Sequence, residues 1–464
     1  MSIITDIISG AADITGKVLF ADVLFFIPNI QLPFLIFWII LGAIFFTFKL
    51  NFVNVRYFSE SFKIFLKKEA VDETGKTITS RSAFLGAISG CVGVGSIAGV
   101  AASVYYGGPG VVFWLLIGAF MCMPIRFAEV FLGHHFRRKD NEGNIVSYGP
   151  FAYIMQGLPT VGLGKYAGFM KVFFSVGLIL TSFSATMGQV GPTTELISAS
   201  FFNNSPIAAF LVALVLGIFT LFVVFGGLKR MSTVIEKMAV VMSLIYIVSI
   251  FIILAVNIKN IPSAVSLIIS SAFQVKSIYG GAIGTLVVAL TRIISMNEIG
   301  MGTTALLHGK SKNEDSVSEG LLAMAGPFVA ILVFVALNSF AVIVSGSFNS
   351  GQNGVLMISH MFLSVSSILH MALILVIFLF AITTLIAWYF YVDTALKELK
   401  GGKIMAKIYP VFFLSFVLAA SFIPFGVILK FTDVLGIVII IPNILVLYAL
   451  SGIVKKNLDK YKKM

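Results

Sequence analysis

The sequence predicts an all-α membrane protein of eleven transmembrane helices, and three observations carry that expectation. Apolar residues fill 58% of the 464 positions and charged residues only 11%, whereas soluble domains carry about 25% charged residues. Mean hydropathy is +1.03, and the apolar residues fall into stretches long enough to cross ~30 Å of hydrocarbon at 1.5 Å per residue. Basic residues cluster in alternate loops, as they do when lysine and arginine stay on the cytoplasmic side.

Taken in order, residues 1–28 are mildly apolar with Asp6, Asp13 and Asp22 interspersed, which suits a short interfacial helix. Ile30–Leu50 is the first span, and a polar, charged segment follows from Asn51 to Arg81. A glycine-rich helix from Ala83 to about Tyr106 leads through the tight turn of Gly107-Gly-Pro-Gly into Val111–Gly133. The remaining spans are Lys171–Ser198, Ile207–Phe225, Met238–Val256, Ile278–Leu307, Leu321–Val344, Met371–Leu396, Ile408–Phe425 and Val434–Ile453. With the N-terminus outside and the C-terminus cytoplasmic, 26 of the 32 basic residues fall in cytoplasmic loops or the tail. Only Lys17, Lys259, Lys276 and Lys430 fall outside, with Arg126 and Arg292 inside spans. The net charge of +12 therefore marks membrane orientation and not a nucleic-acid partner.

Residues 83–256 give five spans starting from the cytoplasm, and residues 278–454 give five starting from outside. Each half opens on a glycine-interrupted helix, the second through Tyr279-Gly-Gly-Ala-Ile-Gly-Thr and Ser295-Met-Asn-Glu-Ile-Gly-Met-Gly. Paired interruptions in oppositely oriented halves are the sequence mark of an inverted-repeat transporter. The expected organisation is an N-terminal segment with one extra helix and a cytoplasmic loop (1–82), repeat one (83–256), and repeat two with a cytoplasmic tail (257–464).

The first interruption holds Gly90, Gly93, Gly95 and Gly99, each costing roughly 1 kcal/mol against alanine in a helix interior. Two readings fit: a helix broken so that its backbone faces a cavity, or a glycine seam where helices pack closely. The two cysteines, Cys91 and Cys122, lie in apolar segments and support neither a disulfide framework nor a metal cluster. His134, His135, His308, His360 and His370 sit in loops or at boundaries without metal-ligand spacing, so no transition metal is expected. The N-terminus lacks the basic start and cleavage site of a signal peptide, and no enzyme motif is found.

Several blocks resemble the alanine/glycine:cation symporter family. They are Gly93-x-Gly-Ser-Ile-Ala-Gly-Val-Ala, Gly107-Gly-Pro-Gly-x-x-Phe-Trp, Arg126-Phe-Ala-Glu-Val, Gly226-Gly-Leu-Lys-Arg with Glu236-Lys, Arg292-x-x-Ser-Met-Asn-Glu-Ile-Gly-Met-Gly, Thr383-Thr-Leu-Ile-Ala-Trp-Tyr-Phe-Tyr and Ile441-Pro-Asn. They run in family order over roughly residues 75–450. The resemblance implies a LeuT-type fold of the amino acid–polyamine–organocation superfamily, and sodium-coupled uptake of a small neutral amino acid, alanine or glycine by family default. Na⁺ is then the coupling ion, with no other cofactor. The other partner is membrane lipid, and the chain is expected as a monomer or weak oligomer in the plasma (inner) membrane. Rival readings are a passive channel or uniporter, proton coupling, a different amino acid, and an amino-acid sensor.

An amino acid brings a carboxylate, which suits the free amides at a half-helix N-terminus; Gly93, Val94, Gly95 and Ser96 occupy that place. Carbonyls freed near Ser89 and Val92 suit Na⁺. The resemblance adds the hydroxyls of Thr383 and Thr384 as ligands, although threonines in a helix also bond their own backbone. Gln189, mid-span, needs a partner to offset the cost of burying its amide, either the substrate, as the resemblance implies, or a neighbouring helix. Trp388 follows Thr384 at i, i+4 and shares its face; the resemblance makes it a pocket wall. Ser295, Met296 and Asn297 mark the second interruption and are expected to touch substrate. Arg126 with Glu129, and Arg292 with Glu298, read as structural or gating pairs. The family usually reads Gly-Thr-Gly-Asn at the first break and Arg-Gly before the second. Here Gly93-Val-Gly-Ser and Arg292-Ile stand instead, so side-chain contacts at Val94 and Ser96 differ.

Overall fold

The computed structural model describes residues 21–23, 33–67, 69, 74, 76–273, 282–424, 426–428 and 439–461, leaving out the side chains of residues 282–284 and 295. The expected interfacial helix at 1–28 lies outside them except for residues 21–23. Apolar sequence becomes helix nearly throughout: α1 (Phe34–Lys49), α2 (Phe58–Leu66), α3 (Ser80–Cys91), α4 (Val94–Gly107), α5 (Val111–His135), α6 (Ala167–Phe201), α7 (Pro206–Val224), α8 (Gly227–Val256) and α9 (Ile261–Ala272). After them come α10 (Ala282–Asn297), α11 (Thr303–Gly309), α12 (Ser316–Val329), α13 (Leu337–Val344), α14 (Gly354–Leu363), α15 (Ser367–Glu398), α16 (Gly402–Ala420) and α17 (Ile440–Lys460). A π-helical stretch, Ala330–Ala336, joins α12 to α13, and a small hairpin, β1 (Arg138–Lys139) and β2 (Ile145–Ser147), follows α5.

Among the described residues, seven helical stretches are long and apolar enough to cross a membrane, or eight if the bent pair α3–α4 is one span. Three of the expected eleven spans, Ile30–Leu50, Ile278–Leu307 and Val434–Ile453, begin in residues outside the described ones. Helix α1 has 16 residues, the helix from Ala282 is interrupted before it reaches Gly309, and α17 ends in Lys455, Lys456, Asp459 and Lys460. Outward-facing Phe169, Val172, Ile207, Leu211, Leu244, Phe251, Val411 and Phe412 are exposed. Apolar side chains so displayed are the surface lipid covers, and the chain is an integral membrane protein.

Inside this belt, α5 packs along α12, and α6 along α15. The interrupted helices lie against each other, α4 on α10 and α3 on α11, so they run side by side in opposite directions. Helix starts are fixed by side-chain caps: Thr79 accepts from Ser82 N at 3.0 Å, Asp315 from Val317 N at 3.0 Å, and Ser366 from Ile368 N at 3.1 Å.

Candidate functional site

Both interruptions are real breaks. Between α3 and α4 only Val92 and Gly93 leave the helix, and the axis turns by 47°. The Ser96 hydroxyl crosses the gap to donate to the Cys91 carbonyl at 2.8 Å, which closes the C-terminus of α3. The Val94 amide donates to Gln189 Oε1 at 2.7 Å. On the other side of the break, Thr384 Oγ1 donates to the Ser89 carbonyl at 2.7 Å.

Gly93 is caught between these two contacts. A Cβ there would lie 2.7 Å from Gln189 Cδ and 2.7 Å from Thr384 Oγ1, closer than real Cβ atoms come. At Gly95 a Cβ would meet the Gly188 carbonyl at 3.2 Å. The glycines therefore do both things the sequence allowed: they break the helix and let α6 and α15 approach its backbone.

The structure thus brings Ser89, Gly93, Val94, Gly95, Gln189 and Thr384 into one place. Thr383 turns away, donating to the Phe380 carbonyl at 3.1 Å with Met242 Sδ 3.9 Å off; this is the backbone-bonded alternative. Val92 and Val94 are buried. The Ser89 Oγ and the Tyr391 hydroxyl are buried without a hydrogen-bond partner among the described residues, and Tyr391 aims its oxygen at Gly90, where a Cβ would lie 2.9 Å away. Thr384, Trp388 and Tyr391 form an i, i+4, i+7 stripe on α15, so Tyr391 could have been found by extending the spacing that found Trp388. These unpaired oxygens beside the carbonyl end of α3 form a donor set suited to a hard cation such as Na⁺.

The second break falls later than the sequence suggested. Ser295, Met296 and Asn297 lie in the last turn of α10, and the chain leaves the helix at Glu298; the Ser295 side chain is outside the described residues. Glu298, Gly300 and Gly302 have φ of 51°, 79° and 76°, so the conformations that favour glycine set the position. For Glu298 such a backbone costs on the order of 1 kcal/mol. Its carboxylate accepts from Thr303 Oγ1 at 2.5 Å. Cys91 Sγ reaches the Asn297 carbonyl at 3.4 Å. Met296 packs on α4 instead, its Cε 2.8 Å from where a Gly99 Cβ would be.

A buried clamp holds the second break open. Arg126 donates to the Thr304 hydroxyl and the Asn297 carbonyl and pairs with Glu129 at 3.7 Å. Glu129 Oε1 accepts from Gly302 N at 2.9 Å and Asn443 Nδ2 at 3.0 Å, and Asn443 also donates to the Gly300 carbonyl at 2.8 Å. Tyr153 completes it with a 2.5 Å bond to Asn443 Oδ1. Arg292, also buried, has its Nη1 3.8 Å from the Gly99 Cβ position, beside α4.

Carboxylates from two neighbouring helices fasten the start of α3. Ser80 Oγ donates to Glu319 Oε2 at 2.8 Å, and Ser82 Oγ to Glu236 Oε2 at 2.6 Å. Glu319 also bonds His308 Nδ1 at 2.6 Å and Asn313 Nδ2 at 3.1 Å. A hydrogen bond to a charged group contributes about 1.5–3 kcal/mol, so Glu319→Ala should let α3 swing about Val92–Gly93 roughly tenfold more often. Cys91, half-buried at the hinge, reports the motion. In a Cys122→Ser background its alkylation in membranes should accelerate about tenfold, and an unchanged rate would show that Glu319 does not restrain α3.

The sodium:alanine symporter family model matches residues 20–464. The sodium/alanine symporter AgcS of Methanococcus maripaludis is 27% identical over 437 residues, covering 93% of this chain and 95% of that protein. The amino-acid carrier protein AlsT of Bacillus subtilis is 27% identical, covering 92% and 89%. From the same organism, GlnT, named a probable sodium/glutamine symporter, is 28% identical, covering 91% and 86%.

Proposed function

Since this chain belongs to the sodium:alanine symporter family, and is a transporter of the sodium/amino-acid symporter type and not an enzyme, we propose that it imports a small neutral amino acid with Na⁺ by alternating access. The observation that carries this reading is the Thr384 hydroxyl on the Ser89 carbonyl: two oxygens from different helices converge where the broken helix frees its backbone. Na⁺ would take these two, with the Val92 carbonyl in reach of the same gap; Thr383 would join only by rotating off Phe380. The substrate carboxylate would take the amides of Val94, Gly95 and Ser96, with Gln189 across from them. Asn297 and Trp388 would close the second side, and Ser295 and Met296 flank it in sequence.

The antiparallel pairing of α3–α4 with α10–α11 supports two inverted repeats, residues 83–256 and 257–464, after an N-terminal segment of 1–82. It is also what a LeuT-type arrangement of eleven spans requires. The basic loops support an N-terminus outside and a cytoplasmic C-terminus in the plasma (inner) membrane. Alanine or glycine is the first choice of substrate, as the default of the sodium:alanine symporter family. Sodium bound first would lower the cost of the substrate-ready state, and the coupling must be reciprocal.

The test is uptake of labelled alanine, glycine and glutamine into proteoliposomes under Na⁺ or K⁺ gradients. Alanine or glycine should accumulate only with inward Na⁺, and Thr384→Val should raise the half-saturating Na⁺ concentration at least about tenfold, the effect of one lost ligand worth ~1.4 kcal/mol. Uptake equal in Na⁺ and K⁺ for all three would overturn the coupling.

A further inference from the structure

At the end of the bundle that carries the β1–β2 hairpin lies a half-open cavity of ≈ 720 Å³ whose lining includes no residue of either break. That is within the ~300–1,000 Å³ of small-ligand sites. Its walls come from the hairpin, the start of α8, the end of α15 and the start of α16, with Lys76 and Lys310 from loops.

Charge is out of balance in this space. Of the two acids on its wall, Asp393 is matched by Lys397 at 2.5 Å and Glu398 by Lys171 at 3.5 Å. Three further lysines have no ion-pair partner within 4 Å among the described residues, although Lys76 also feels the Asp140 carboxylate at longer range. Lys310 Nζ donates to the Ile145 carbonyl at 2.6 Å and sits 4.3 Å from the centre of the Tyr148 ring. Lys76 Nζ donates to the Glu142 carbonyl at 3.2 Å. Lys407 forms no ion pair among the described residues. Lys310 is half-buried, and burial, with Lys397 nearby, pushes its amine down to about 8. A desolvated cation on uncharged partners is stabilised by any anion that enters.

The rim indicates which anion. Phe225, Val224 and Pro410 line the same cavity, and Phe225, with neighbouring Ile404 and Met405 on α16, is exposed on the lipid-covered surface. The space is cationic within and bordered by exposed apolar side chains, the combination with which basic pockets between helices take acidic headgroups. We propose that this cavity binds the phosphate headgroup of an anionic phospholipid, held by Lys310, Lys407 and Lys76, with the acyl chains leaving past Phe225. This does not depend on the transport reading.

The test is the unfolding temperature of the purified full chain with short-chain phosphatidylglycerol, short-chain phosphatidylcholine or inorganic phosphate, since ligands that bind only the folded state raise it. Phosphatidylglycerol should stabilise the wild type by several degrees, and the other two should have little effect. Lys310→Gln/Lys407→Gln should abolish the shift, and Lys310→Arg should keep it. Should the double variant fold poorly, Lys76→Gln should still reduce the phosphatidylglycerol shift. Equal stabilisation of wild type and variants, or by phosphatidylcholine, would overturn the site; inorganic phosphate matching phosphatidylglycerol would overturn the lipid as its occupant.

Discussion

Gly93→Ala should slow sodium-driven uptake severely while the protein still inserts in the membrane. The added Cβ would lie 2.7 Å from both Gln189 Cδ and Thr384 Oγ1, and neither neighbour can yield without breaking a bond to the broken helix: Gln189 holds Val94 N, and Thr384 holds the Ser89 carbonyl. Overpacking of this kind costs typically about 1–3 kcal/mol, and here it falls on the hinge. Initial rates should drop roughly 10- to 100-fold with yield and monodispersity in detergent retained. A variant transporting within about twofold of wild type would show that this packing is not part of the working cycle.

Glu129→Ala should cost the protein its stability. Its carboxylate joins Arg126, Gly302 and Asn443 with no exposure at all. Removing one partner of a buried pair leaves the other charge uncompensated, at about 3–5 kcal/mol, which for a chain of this size corresponds to a fall in melting temperature of about 3–5 °C. Thermal unfolding in detergent measures it. Adding Arg126→Ala should recover part of the loss, because the stranded guanidinium is then gone. Additive losses would mean that the two residues act separately.

These variants show what the linear chain disclosed and what it withheld. The first break could be read from Gly90, Gly93, Gly95 and Gly99, because glycine's helix penalty is local. Which of two adjacent threonines faces that break could not, since neighbouring helical residues point about 100° apart and packing decides the rotation of α15. Thr384 turned toward Ser89 and Thr383 toward Phe380. The second break was read from the glycines of Ser295-Met-Asn-Glu-Ile-Gly-Met-Gly and placed at Ser295–Asn297, but the left-handed backbone at Glu298, Gly300 and Gly302 governs. Ile441-Pro-Asn stood among the resembling blocks, but what Asn443 does there could not be read from it, because the loop it braces lies 143 residues earlier in the chain. Ser96 seemed an altered binding residue, and the structure employs it to close α3.

On the proposed reading, in which the α4 amides take the substrate carboxylate, the bond from Val94 N–H to Gln189 Oε1 makes the site its own competitor. A carboxylate drawn to that amide must displace a tethered amide oxygen whose effective concentration, fixed by the packing of α6 on α4, far exceeds that of any dissolved amino acid. Measured affinity would therefore report a difference between two ligands and not the strength of one. A solute that cannot outbid the glutamine leaves the broken helix shut upon itself, so discrimination against weak anions would be built in before the substrate's side chain is sensed.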